Sequence, residues 1–199
     1  MPISAYLLPL TLFAAAASFT PGPNNTLLMA SGARWGVRRT LPFLSGVVFG
    51  FAFMLFAVGL GLGAAFRAWP LLHAVLKVAC FGFLLVLAWK VARSGSPGAD
   101  SGKEKPSGFW LAAGFQWINP KGWMMAVSAQ AVYVPEGEPA LPHVATIVAV
   151  FFLTGIASAL AWCVFGTAFS GFLDRPRRVR VFNIAMAVLL VVSMLPALF

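Results

Sequence analysis

A chain of 199 residues in which 60% are hydrophobic and only 10% charged lies far below the roughly 25% charge of an ordinary water-covered domain. Too few ionic groups remain to coat a soluble surface, so the sequence is that of an integral membrane protein, in keeping with its mean hydropathy of +0.88. The net charge of +9 does not imply a nucleic-acid partner, because the basic residues sit in short loops between apolar runs, where they set topology and meet the lipid face.

Apolar runs long enough to cross a bilayer, about 20 residues each, predict an all-α protein with six transmembrane helices in one domain, 1–199. The spans are 7–33, 41–66, 71–91, 109–134, 144–169 and 179–198, with a linker at 94–108. The residues up to Ala17 resemble a signal-peptide core. No basic segment precedes them and the apolar run resumes beyond, so they are expected to belong to the first span.

That first span is interrupted by Phe19-Thr-Pro-Gly-Pro-Asn-Asn25. Proline has no amide hydrogen and clashes with the carbonyl four residues back. Pro21 and Pro23 are therefore expected to release the carbonyls of Ala17 and Phe19. Within lipid such groups persist only against protein or a wet cavity. Gly22 suits a helix cap and Pro23 a first helical position, so winding should restart there. Asn24 and Asn25 follow at once and are expected to line a site.

The second span carries Gly46-x3-Gly50 and Gly59-x-Gly61-x-Gly63, small residues that let another helix approach closely. Whether that helix comes from the same chain or a second copy is left open by the sequence. In the third span Lys77 lies about 10 Å deep, where it either snorkels outward or lines the site. Cys80 and Cys163 sit in apolar stretches as small hydrophobes. No metal-ligand spacing occurs, and neither metal nor cofactor is expected.

The fourth span breaks at Asn119-Pro120-Lys121-Gly122. Asn119 and Pro120 again read as a cap and a helix start. Counting about 16 Å from Pro23 to Arg34, and about 18 Å from Phe109 to Lys121, both breaks fall near the middle of a core about 30 Å thick. An ammonium at that depth costs about 2.5–3.5 kcal/mol. Lys121 is thus expected to face a cavity or an anion, as a partner for a carboxylate or as a proton-carrying amine; the alternative is a lysine held by carbonyls. Gln116 and Asn119 supply neutral polar groups at the same level, although Asn119 has a second role as cap and Gln116 as a partner for freed carbonyls. His73 and His143 are expected at the outer interface.

Eleven Lys and Arg residues flank loops one, three and five (Arg34, Arg38, Arg39; Lys90, Arg93, Lys103, Lys105; Arg175, Arg177, Arg178, Arg180), against Arg67 alone in loop two and none in loop four. The positive-inside rule puts loops one, three and five in the cytoplasm and both termini outside. A shift of 97 residues places Pro23 on Pro120 and Ser31 on Ser128. Three spans per half would make the halves run oppositely, a 3+3 inverted repeat with broken helices 1 and 4, and paired broken helices point to a carrier's binding site. Asp100, Glu104, Glu136, Glu138 and Asp174 all lie in loops or at span ends. Proton coupling would therefore run through Lys121, Lys77 or the substrate, and a substrate ammonium would meet carbonyls, amides or an aromatic face such as Trp117 or Trp123.

These motifs resemble those of the LysE/RhtB family of bacterial amino-acid exporters, over nearly the whole chain. The resemblance rests on Pro21-Gly-Pro-Asn24, the Gly46/Gly50 span, Leu76-Lys77 through Phe83-Leu84 to Ala88-Trp-Lys90, and Asn119-Pro-Lys121. The stretches Lys105-Pro-Ser-Gly-Phe-Trp110 and Phe115-Gln-Trp-Ile-Asn119, with Leu87-Ala-Trp-Lys90, look closest to the cysteine/O-acetylserine exporter branch. The resemblance implies a multi-pass protein of the bacterial inner membrane that exports small amino acids or close derivatives, driven by the proton-motive force, and a homodimer. Two places depart from the family pattern: Cys80-Phe-Gly82, where relatives commonly have Gly-Ala and an aromatic, and the end of span four. The expected mechanism is alternating access, with a substrate carboxylate on Lys121 and the two helix starts, oriented by Asn24 and Asn25. A channel or scaffolding subunit is the alternative. An intramembrane enzyme is disfavoured, because no HExxH, Gly-x-Ser-x-Gly, Asp pair or Cys–His arrangement occurs.

Overall fold

The computed structural model describes residues 2–62, 78, 82, 85–93, 106–135, 137–173 and 175–192. Lys77, His73, Cys80, most of the third span and most of the 94–108 linker lie outside the described residues. Among the described residues the bounded α-helices are, in order, α1 (Ile3–Phe19), α2 (Pro23–Ala57), α3 (Phe109–Phe115), α4 (Pro120–Tyr133), α5 (Ala140–Phe169) and α6 (Pro176–Val192). Residues 85–92 are also helical, and no strand occurs among the described residues.

Helix α2 is two arms. Gly36 sits at φ 75°, ψ 170°, a left-handed φ that only glycine adopts without strain. The Ser31 and Thr40 hydroxyls lie 2.9 Å apart across it, whereas nine residues along a straight helix would separate them by about 13 Å. The chain therefore doubles back at Gly36, between arm 23–35 and arm 37–57. Leu28 from the first arm and Phe43, Leu44, Val47 and Val48 from the second share one apolar cluster with Ala112, Ala159 and Cys163.

Helix α5 is the central post. With the turn that follows it spans the 33 residues Ala140–Phe172, within which an 18-residue stretch has a mean hydropathy of 2.3. Glycines bring its neighbours into backbone contact: a Cβ on Gly166 would overlap the Met29 carbonyl, and one on Gly32 the Cys163 carbonyl. Thr167 adds a hydrogen bond to the Gly32 carbonyl at 3.1 Å. On the other arm, Gly46 and Gly50 lie against the backbone of Phe109 and Ala113, so the Gly46-x3-Gly50 face is occupied by α3 of the same chain. A second cluster joins Tyr6, Leu10 and Ala14 of α1 to Met54, Ala126, Ala129, Ile147 and Phe151.

The outward surface is apolar. Trp110 is 83% exposed, and Leu8, Leu153 and Phe172 are exposed as well, a distribution suited to acyl chains rather than water. His143 is buried within the protein, held between the Tyr6 hydroxyl at 2.7 Å and the Glu138 carboxylate at 2.9 Å. Helix α5 starts at Ala140, a turn earlier than the predicted span, which places His143 in its first turn against α1.

Candidate functional site

Both interruptions are real breaks in winding. Helix α1 ends at Phe19 and α2 begins at Pro23, with Gly22 as its extended cap. Helix α3 tightens into a single 3-10 turn, Gln116–Ile118, before extended Asn119 and the restart at Pro120. The two starts are built alike, each with proline at the first helical position. Their first intrahelical bonds are Thr26 N–H to the Gly22 carbonyl and Trp123 N–H to the Asn119 carbonyl. The amides of Asn24, Asn25, Lys121 and Gly122 thus have no partner within their own helix.

These two starts meet at one cavity of about 60 Å³. Gly22, Pro23, Asn24 and Asn25 line it from the first start, and Asn119, Lys121 and Gly122 from the second. Two helix N-termini converging on one volume give it a positive potential, and Lys121 is the one charged side chain among the described residues that line it. Space of this size holds several water molecules or a small solute.

Side chains from distant parts of the chain answer the carbonyls of the first break. Lys121 Nζ donates to the Thr20 carbonyl at 2.7 Å and lies 3.5 Å from that of Pro21. Asn25 Nδ2 donates to the carbonyls of Ser18 and Thr20 at 2.7 and 3.0 Å. Ser158 Oγ, from α5, also donates to the Ser18 carbonyl at 2.7 Å. The carbonyls that recruit side chains are therefore Ser18, Thr20 and Pro21 rather than Ala17 and Phe19, because the last residues before the gap lose the amides that would have followed them.

Asn24 and Gln116 tie the two breaks together. The Asn24 amide donates to Gln116 Oε1 at 2.8 Å, Gln116 donates back at 3.3 Å, and Gln116 also donates to the Ala112 carbonyl at 2.8 Å. Asn119 behaves differently. Its side chain makes no capping bond, the residue is 2% exposed, and its Oδ1 accepts from no group among the described residues. Trp117 and Trp123 do not line the cavity; the Trp123 indole donates to the Trp117 carbonyl at 2.9 Å. Of the residues singled out in the sequence, Asn24, Asn25, Asn119, Lys121, Pro23, Gly22 and Gly122 share the cavity wall, while Gln116 and Pro120 stand behind it and Pro21 contributes its carbonyl.

The sequence reading missed Ser18 and the α5 face made by Gly155, Ser158 and Ala159, which closes the cavity. Their signal is a run of small or polar residues at helical spacing inside an otherwise bulky apolar span. No cluster of metal-ligating side chains occurs among the described residues, and the residues that line the cavity include no carboxylate, histidine or cysteine. The arrangement can bind a small anion or zwitterion.

Comparison with known proteins agrees. The family model for LysE type translocators matches residues 15–196. A cysteine/O-acetylserine efflux protein of Salmonella typhimurium is 32% identical over 177 residues, covering 87% of this chain and 88% of that protein. The corresponding efflux protein of Escherichia coli K12 is 30% identical over 176 residues, with the same coverage. No solved structure matches this chain.

Proposed function

Because the chain belongs to the LysE-type translocator family and is a membrane transporter rather than an enzyme, we propose that it exports small amino acids or close derivatives, of the cysteine and O-acetylserine kind, by alternating access. The observation that carries this reading is the convergence of two helix N-termini and Lys121 on one cavity. A carboxylate entering there meets first-turn amides from both helices and an ammonium, each favouring negative charge. Lys121, Asn24, Asn25 and Asn119 contact the substrate, Gln116 positions Asn24, and Lys77 contributes from the third span.

The amine of Lys121 has a structural partner in the Thr20 carbonyl, so a substrate carboxylate competes for it. Drawing Lys121 away loosens the first break from the second, leaving the Asn24–Gln116 pair between them, and the two halves rock about the cavity. Six spans in a 3+3 inverted repeat, with loops one, three and five in the cytoplasm and both termini outside the bacterial inner membrane, supply the frame. The matching Gly22-Pro23 and Asn119-Pro120 starts support that symmetry. The proton-motive force drives the cycle, and the protein works as a homodimer, as the family resemblance implies.

Efflux of labelled amino acids from proteoliposomes, with and without an imposed pH gradient, tests this. Gradient-stimulated efflux that disappears in Lys121→Ala is the expected result. Equal efflux by the variant removes Lys121 from the site, and efflux of no amino acid by the unaltered protein overturns the substrate class.

A further inference from the structure

The cavity has an apolar side that the polar groups do not account for. Val47 and Phe51 of α2, Met125 of α4 and Phe151 of α5 line it as well. On the same wall α5 presents Gly155, and a Cβ built there meets nothing within 4 Å among the described residues. The other glycines facing helices are different: Gly32, Gly46, Gly50 and Gly166 each lie against a neighbouring backbone, and a Cβ would collide. Gly155 therefore does not serve helix packing. Its missing side chain leaves volume inside the cavity.

A second observation marks the same volume as a binding place. Asn119 lines it, is 2% exposed, and among the described residues its Oδ1 has no donor. Buried acceptors are almost always paired, and an ammonium is the donor that a zwitterionic substrate brings. With the carboxylate at the helix starts and the ammonium on Asn119, the third substituent of the α-carbon has only the apolar side left to enter.

Resting on the amino-acid export reading, we propose that the chamber between Gly155 and Val47 holds the substrate side chain, that Asn119 Oδ1 accepts the substrate ammonium, and that Gly155 sets the length of side chain exported. The substrates are neutral amino acids with short side chains, and the chamber's apolar lining excludes charged ones.

The test is efflux from proteoliposomes of the full chain loaded with labelled alanine, serine, O-acetylserine or leucine, read as ratios to alanine. Gly155→Val is expected to lower the O-acetylserine and leucine ratios about tenfold, the scale on which a pocket discriminates by one or two carbons. Val47→Ala is expected to raise the leucine ratio several-fold, about one methylene step or more, a gain that misfolding does not produce. Gly155→Ala, whose methyl fits without displacement, should move the ratios in the same direction as Gly155→Val and by less. Asn119→Ala should raise KM for all four substrates while leaving their ranking intact. Ratios unchanged in Gly155→Val, Gly155→Ala and Val47→Ala overturn the chamber while leaving amino-acid export standing. Efflux of none of the four by the unaltered protein overturns both.

Discussion

The two breaks start their second helices in the same way but end their first helices differently. Before Pro23 the chain simply stops for three residues, and the exposed carbonyls of Ser18 and Thr20 are met by Asn25, by Ser158 from α5 and by Lys121 from the other break. Before Pro120 the chain tightens into a 3-10 turn and satisfies itself nearby: Asn119 N–H reaches the Gln116 carbonyl, Gln116 the Ala112 carbonyl and Trp123 the Trp117 carbonyl. Apart from Asn25, the carbonyls of the first break are met by remote groups, Lys121 and Ser158, whereas those of the second are met by local ones, and Gln116 pairs at long range with Asn24. A joint held by remote groups opens when those groups move, whereas one that supplies its own partners travels as a unit. In the proposed alternating-access cycle, the first break would then be the movable side of the cavity and the second its fixed side.

The largest effect should come from the contact that joins them. Lys121→Ala removes both the ammonium and the tie to Thr20, and efflux should fall about 100-fold, measured in proteoliposomes alongside a surface-labelling assay of insertion. Lys121→Arg keeps the charge but spreads it over a planar fork, and should recover part of the rate. Asn25→Ala strips two bonds from the first break and should lower stability by about 1–3 kcal/mol, visible in thermal unfolding in detergent. Gln116→Leu and Asn24→Leu each break the amide pair and should cost about 1 kcal/mol. The double variant should cost less than their sum by about 0.5 kcal/mol or more, because each single change strands a polar partner. Trp123→Phe deletes a local bond at the fixed side and should cost about 0.6 kcal/mol with efflux unchanged. Were Trp123→Phe to impair export as much as Asn25→Ala, the distinction between movable and fixed sides would fall.

Proline chemistry made both breaks legible in the sequence, since the constraint acts on the residue itself and needs no tertiary context. Lys121 was legible for a similar reason: an amine deep in an apolar run demands a partner whatever the fold. Its partner was not, because the Thr20 carbonyl is 101 residues away and every carbonyl looks alike in a sequence. Gly155 was hidden because a glycine that leaves space reads the same as one that admits a helix. Only the three-dimensional surroundings separate Gly155 from Gly166. The partners of His143 were hidden for want of an accurate helix start, a boundary that hydropathy sets loosely. That residue lies twelve positions before Gly155, about 18 Å along α5, so its network with Tyr6 and Glu138 belongs to another level of the protein.

The tie between Thr20 and Lys121 also fixes an order of events during synthesis. At about 5–20 residues per second, the fourth span emerges from the ribosome roughly 5–20 s after the first. Asn25 is at hand almost immediately, but Lys121 and then Ser158 arrive late. Through that interval the Thr20–Gly22 gap has no amine to cover it and cannot be released into lipid on its own. The nascent amino-terminal hairpin must wait beside the insertion machinery, in water or against protein, until the second half of the chain comes to claim it.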